Sequence, residues 1–422
     1  MRLKIAVIGA GIAGLSAAWM LRGAHDVALF EAEPRPGGHA DTQTVLVGGE
    51  TINVDTGFIV YNTRNYPNLT ALFAELGVAT QASDMSFGVS LGGGRLEYGG
   101  GNLAQLFAQP SNAFRPRFWS MIRDLLRFYR DAPKLLETES VETLGAYLDR
   151  NRYGVAFAED HLLPMGAAIW SASLSGMRDF PARSFVRFFV NHGLLNLSDR
   201  PAWRTVTGGS RNYVARLLRD LPDVRLARPV LRVTRAASGV VVTSVDGAES
   251  FDQVVFACHA DQALALLAEP YAAEAAVLGA FRFQDNLAVL HTDAAVMPKR
   301  RRAWSAWNYS DTTKDGPVCL TYWMNQLQLL PGKVPVLVTL NPAVAPAPER
   351  ILRQITYRHP QFDTAALNAQ KQLDTIQGRD RAWFAGAWTG WGFHEDGIAS
   401  AVRIADALGC APIWAQKRGR AR

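Results

Sequence analysis

Residues 6–15 read AVIGAGIAGL, an apolar run broken by three glycines. Such a run admits three readings: the core of a secretion signal, a membrane anchor, or the turn that holds a nucleotide. Met1-Arg2-Leu3-Lys4 would serve as a short basic leader. A membrane helix, however, needs about 20 apolar residues, and Arg22 interrupts this one early. The surroundings favour the nucleotide. Leu3 to Ile8 has the unbroken apolar character of a buried parallel strand. Gly9, Gly11 and Gly14 then give G-x-G-x-x-G, and a helix is expected over Ile12–Arg22. Gly9 permits the tight turn, Gly11 lets a pyrophosphate approach bare backbone, and Gly14 lets helix and strand pack closely. Ala13 lies in the first helical turn, whose N–H groups point at the phosphates. A second strand, Val27–Glu31, ends in an acid 20 residues past Gly11, where a carboxylate accepts from a ribose diol, with Ala32 beside it. The glycines alone are weak evidence. Strand, helix and acid at the right distances make them strong.

The rest of the composition narrows the class without naming it. The 422 residues are 48% hydrophobic and 19% charged, which is ordinary for a globular chain, with a net charge of +6. That charge permits an anionic partner without requiring one, and no nucleic-acid motif accompanies it. Cys258, Cys319 and Cys410 are widely separated, so neither a disulfide framework nor a metal-ligand spacing is present, and no metal is expected. A reducing, cytoplasmic setting is the default expectation, with contact at the inner face of a membrane allowed. The oligomeric state stays open.

The residues after Glu31 separate one dinucleotide from another. EAEPRPGGHADT, residues 31–42, carries Arg35, Gly37, Gly38, His39 and Thr42. This R-x-G-G-x-x-x-T resembles the FAD-binding signature of flavin amine oxidases and phytoene-desaturase-type flavoproteins, with His39 where that family has an arginine. Asp55-Thr56-Gly57 resembles the family's D-x-G turn, and Thr207-Gly208-Gly209-Ser210 resembles its return into the cofactor domain. Strands near Val230–Arg235 and Gly239–Ser244 fit the hairpin that clamps the nucleotide half, with Val230 at its edge. A strand, a turn and a helix with Asp261 as N-cap follow. RAWFAGAWTGWGFHEDGIASAVRIADAL, residues 381–408, resembles the family's ending, in which Gly386 turns the chain and a helix from about Gly397–Ile398 faces the flavin. A helix N-terminus suits the negative charge of reduced flavin.

The resemblance implies an α/β plus α+β architecture. A Rossmann-type FAD-binding domain of the glutathione-reductase-like kind would comprise residues 1–62, 205–285 and 380–422. An inserted substrate domain of mixed sheet and helices would comprise 63–204 and 286–379. No cysteine lies between Trp388 and Phe393, so non-covalent FAD is expected, with His39 the only other candidate link. Trp388, Trp391 and Phe393 are candidate aromatics before the flavin. His394 and His259 are candidate proton acceptors, although each is more simply read as structural, and Glu395 or Asp396 as a helix cap.

The middle of the chain has an apolar stretch with few charges. MGAAIWSASLSGMRDFPARSF, residues 165–185, suits the wall of a channel or a buried helix pair. Arginines and aromatics crowd residues 114–130, as on a solvated helix face or a membrane-touching patch. Pro298–Arg302 and the basic tail 416–422 admit the same two readings. The variant at Gly37–His39, VLHTD (289–293), WSAWNY (304–309) and FHEDGI (393–398) resemble a bacterial subgroup associated with cyclopropane-fatty-acid-synthase-like methyltransferases. That resemblance implies desaturation of a methylated acyl chain of a phospholipid. An amine oxidase acting on a small or polyamine substrate and a non-catalytic lipid carrier are the alternatives.

Overall fold

The computed structural model describes residues 1–196, 198–311 and 316–419, and the side chains of the basic tail beyond Gln416 lie outside it. Its organising element is a five-stranded parallel sheet. Strand β1 (Lys4–Ile8) lies at its centre and pairs with β2 (Asp26–Phe30) on one side and with Gln253–Phe256 on the other. Asp223–Arg225 and Ala382–Phe384 complete the edges. Ile5 to Ile8 are all buried, as expected of a strand covered on both faces.

Helix α1 (Ile12–Leu21) is buried on nearly every side, with Met20 the exception. Its apolar run therefore belongs to a core helix. α1 packs beneath the final helix (His394–Ala407) and against Arg211–Arg219. A Cβ on Gly14 would collide with the Gly9 carbonyl oxygen, so the third glycine of the motif is a packing requirement. The final helix starts at His394, three residues before the expected Gly397. Gly397 sits inside the helix because it abuts α1: a Cβ there would lie 2.7 Å from Ile12 Cγ2. Asp261 is likewise not a cap. The helix Ala260–Leu266 begins behind His259, whose N–H donates to Gln262 Oε1 at 3.1 Å, while Asp261 pairs with Arg358 at 2.8 Å.

A second, seven-stranded sheet runs Ile351–Gln361, Arg282–His291, Leu337–Leu340, Cys319–Trp323, Trp307–Ser310, Phe87–Leu91, Leu96–Gly99. It is antiparallel except where Trp307–Ser310 meets Phe87–Leu91. Helices Pro116–Asp131, Leu163–Trp170 and Ala182–Asn191 share one apolar cluster with it. Val230–Ala236, Gly239–Ser244 and Gly247–Phe251 form a separate antiparallel sheet beside the parallel one. No helix among the described residues is long and apolar enough to cross a membrane.

Several charges that a lipid surface would recruit are already engaged. Arg117 grips Asp160 with two hydrogen bonds of 2.7 and 2.9 Å. Arg127 donates to the carbonyls of Asn151 and Arg152. Arg300 pairs with buried Glu97, and Arg301 stacks over Trp304.

Candidate dinucleotide cleft and adjoining cavity

A cavity of about 670 Å³ opens where the first turn, the final helix and the second sheet converge. Its lining includes Gly9, Gly11, Ala13, Glu31, Ala32, Gly38, His39, Thr56, Gly57, Val230, His259, Gly386, Trp391 and His394. Residues far apart in sequence thus face one space, as their types demanded. The remaining candidates support it from behind. Gly14 packs on Gly9 and Gly397 on Ile12, while Ile398 is fully buried in the core. Gly37 takes a positive φ of 111° and donates its N–H to Ala10 O at 2.8 Å. Arg35 donates to the carbonyl oxygens of Gly38 and Ala40 at 2.9 and 3.2 Å, bracing the loop. Asp55 accepts from Thr42 Oγ1, Ser210 N and Gln328 Nε2, and burial pushes its carboxyl up to about 6. It ties together three segments of chain and does not line the cavity.

The turn leaves open space and free donors at the start of α1. Gly11 stands at the N-cap of α1 with nothing within 4 Å of where a Cβ would be. The first amides of α1 have no side-chain cap, so they are available to an anion. Gly38 crosses so close that its own Cβ would lie 3.2 Å from Gly11 Cα. Glu31 is fixed by Ala10 N–H at 2.7 Å on Oε2 and Glu33 N–H at 2.9 Å on Oε1. The carboxylate keeps acceptor capacity for a diol after both contacts. His39 Nε2 and His259 Nδ1 are buried without a hydrogen-bond partner. Orphaned polar atoms beside a Cβ-sized gap and free helix amides fit a bound polar group.

His39 is also part of a cluster. Its ring lies 5.4 Å from His359, 5.1 Å from Tyr357 and 6.3 Å from His259. Burial holds His39 and His259 down to about 4 and His359 to about 3; Arg35 further disfavours a charge on His39, and the closeness of the three rings disfavours charging His259 or His359. All three are neutral at pH 7, each with one donor and one acceptor nitrogen. His359 and Tyr357 escaped sequence reading. The available signal was the alternation in TYRHPQ, which places both on one face of a strand with Arg358 on the other.

The catalytic candidates separate on geometry. His394 is stacked on Phe58, rings 3.7 Å apart, with Nε2 3.0 Å from Tyr213 Oη, and burial lowers it to about 3. His259 stacks on Phe283 at 4.2 Å. Trp391 lines the cavity beside Phe362 and Phe188. Trp388 is 2% exposed and donates Nε1–H to Cys258 O at 3.1 Å, which leaves it in the wall. Asp396 caps its own helix by accepting from Phe393 N–H at 2.9 Å. Glu395 instead caps the helix Pro67–Glu75, accepting from Asn68 and Leu69 N–H, and burial raises it to about 7.

Comparison with known proteins agrees with this geometry. The sequence profile of flavin containing amine oxidoreductases matches residues 12–409. No curated protein matches the chain in sequence. Among solved structures, the CLA-producing fatty acid isomerase from P. acnes superposes with a TM-score of 0.70 at 15% identity, covering 96% of this chain and 98% of that one. Putrescine oxidase bound to putrescine gives 0.69 at 16%, covering 97% and 99%. Cyclohexylamine oxidase from Brevibacterium oxydans IH-35A gives 0.67 at 16%, covering 97% and 100%. At such identities these likenesses concern the fold. The chain is an FAD-dependent oxidoreductase and belongs to the flavin containing amine oxidoreductase family.

Proposed function

We propose that the protein oxidises a long apolar substrate, most specifically by desaturating a methylated acyl chain of a phospholipid. The reading takes residues 1–62, 205–285 and 380–422 as the FAD domain and the rest as the substrate domain. Within it, Glu31 holds the ribose, Gly11 and the α1 amides hold the pyrophosphate, and His39 and His259 give their orphaned nitrogens to the cofactor. FAD supplies a two-electron acceptor for a hydride from a substrate C–H. A proton lost from the neighbouring carbon to water leaves a carbon–carbon double bond. The protein contributes placement and the exclusion of bulk water.

One observation carries the substrate class. Away from the dinucleotide turn the cavity is walled by Ile59, Val60, Met85, Ile169, Leu340 and Phe362. The ionisable carboxyl and guanidinium groups that line it are Glu31, Glu33, Arg228 and Arg358. Glu31 and Glu33 stand just past the end of β2, Arg228 meets that end by donating its N–H to Glu31 O at 2.8 Å, and Arg358 pairs with Asp261. An ammonium desolvated in the apolar part would lack a counter-charge. An amine would have to rely on the faces of Trp391 and Phe393. The fold does not choose, since a fatty acid isomerase and two amine oxidases share it.

The test is anaerobic incubation of holoenzyme with phospholipid vesicles bearing methylated acyl chains, in parallel with putrescine and cyclohexylamine. Loss of the flavin absorption band with the vesicles is expected. Bleaching by amines alone overturns the acyl reading.

A further inference from the structure

Polar groups in the cavity wall face no partner of their own. Trp307 and Tyr322 stand opposite each other on paired strands, rings 4.9 Å apart at 81°, and both line the cavity. Trp307 Nε1 is buried without a hydrogen-bond partner. The Tyr322 hydroxyl is desolvated, and no hydrogen bond or charge offsets that among the described residues. The helix Leu163–Trp170 packs on the strand that begins at Trp307, and its end lines the same cavity. There Trp170 Nε1 is a second buried donor without a partner. Next to it Ser171 is 7% exposed and held in the left-handed region at φ 51°. A serine at positive φ stores strain, and such residues cluster at functional positions.

Buried donors without acceptors are rare in folded proteins and call for an explanation. Here the chemistry of the donors restricts the answer. An indole N–H only donates, and a tyrosine or serine hydroxyl can donate as well. A ligand that satisfies them must present an acceptor. An ammonium has none. An ionised carboxylate could accept, but no cation stands among these four residues to repay its desolvation. A neutral carbonyl meets both conditions.

We propose that Trp307 and Tyr322, with Trp170 and Ser171 beside them, form a subsite for the ester carbonyl of an acylated substrate. The subsite fixes how far along the chain the oxidised carbon lies. It also selects esterified chains over free acids and amines. This rests on the acyl reading above.

The experiment measures binding to the holoenzyme without turnover, by equilibrium dialysis in the absence of oxygen. The probes are four compounds with an unbranched eighteen-carbon chain in one detergent: methyl octadecanoate, octadecanoate, octadecylamine and octadecane. The ester is expected to bind most tightly. Tyr322→Phe and Trp307→Phe each keep a ring in place and remove a donor. Each is expected to weaken the ester roughly three- to tenfold while leaving octadecane unchanged. A variant that merely loosened the wall would weaken both alike, which counts against the subsite. Equal binding of ester and octadecane to the wild type overturns it, as does an ester affinity that neither substitution moves. If no chain binds and the amines bleach the flavin, the acyl reading itself has failed.

Discussion

Alanine at Gly11 and alanine at Gly14 should have opposite consequences, although the two positions are three residues apart. At Gly11 the backbone has φ −74°, open to any L-residue, and a Cβ would meet no protein atom within 4 Å. Gly→Ala at a compatible position stabilises by about 0.4–1 kcal/mol through the unfolded chain. The apoprotein of Gly11→Ala should therefore melt at or slightly above the wild-type temperature. On the proposed reading the same methyl would occupy the space through which a pyrophosphate approaches the α1 amides. Overpacking costs about 1–3 kcal/mol, a roughly five- to 150-fold loss of FAD affinity. At Gly14 the Cβ would overlap the Gly9 carbonyl oxygen, which is backbone and cannot rotate away. Gly14→Ala should lose about 3 kcal/mol or more of apoprotein stability. Thermal melts of the apoproteins and fluorescence titrations with FAD separate the two effects. A Gly11→Ala protein that binds FAD as tightly as wild type would refute the phosphate path. A stable Gly14→Ala would refute the packing role.

Glu31→Gln should retain one backbone contact but weaken the grip on a ribose diol, lowering FAD affinity by about 1.5–3 kcal/mol; unchanged flavin content after dialysis sinks the ribose role. Heat or acid precipitation should release all the flavin into the supernatant, and colour left on the pellet would mean a covalent link. Glu395 has its carboxyl raised from 4.5 to about 7 by burial. Its contribution to stability is therefore full below about pH 4.5 and lost as pH rises through 7, up to about 3 kcal/mol at about 1.4 kcal/mol per unit. Glu395→Gln, which cannot ionise, should flatten that part of the pH–stability curve in thermal melts between pH 5 and 8; an unaltered slope would show that another group causes it.

What the sequence revealed tracks how local the determinants are. The β1–turn–α1–β2 unit is dictated within about 30 residues by its glycines and apolar runs, and Arg211–Arg219 and Gly239–Ser244 were readable to the residue. The final helix was misjudged at its start because a glycine in a helix reads as a boundary. Here Gly397 is interior for a tertiary reason, its contact with Ile12. The histidine cluster was invisible for a related reason. His39, His259 and His359 come from a loop, a helix N-cap and a strand, brought together only by the pairing of Ile351–Gln361 with Arg282–His291. The basic runs show the opposite limit. Charge is legible in sequence, but whether Arg300 meets solvent or Glu97 is not.

The burial that hides these histidines from solvent also limits what they can do. A general base works best with a pKa near the operating pH, and at about 3 to 4 the four imidazoles around the cleft fall short of it. A neutral imidazole in a dry wall is instead a fixed dipole, one N–H and one lone pair, oriented by stacking on Phe58 or Phe283. Such dipoles need no reorganisation when charge develops nearby. The same dryness disfavours a protonated amine and favours a chain that brings no charge of its own. Cofactor side and substrate side therefore answer to one physical condition, a cavity whose carboxylates gather at the end of β2 and whose apolar part, among the described residues, carries no unpaired charge.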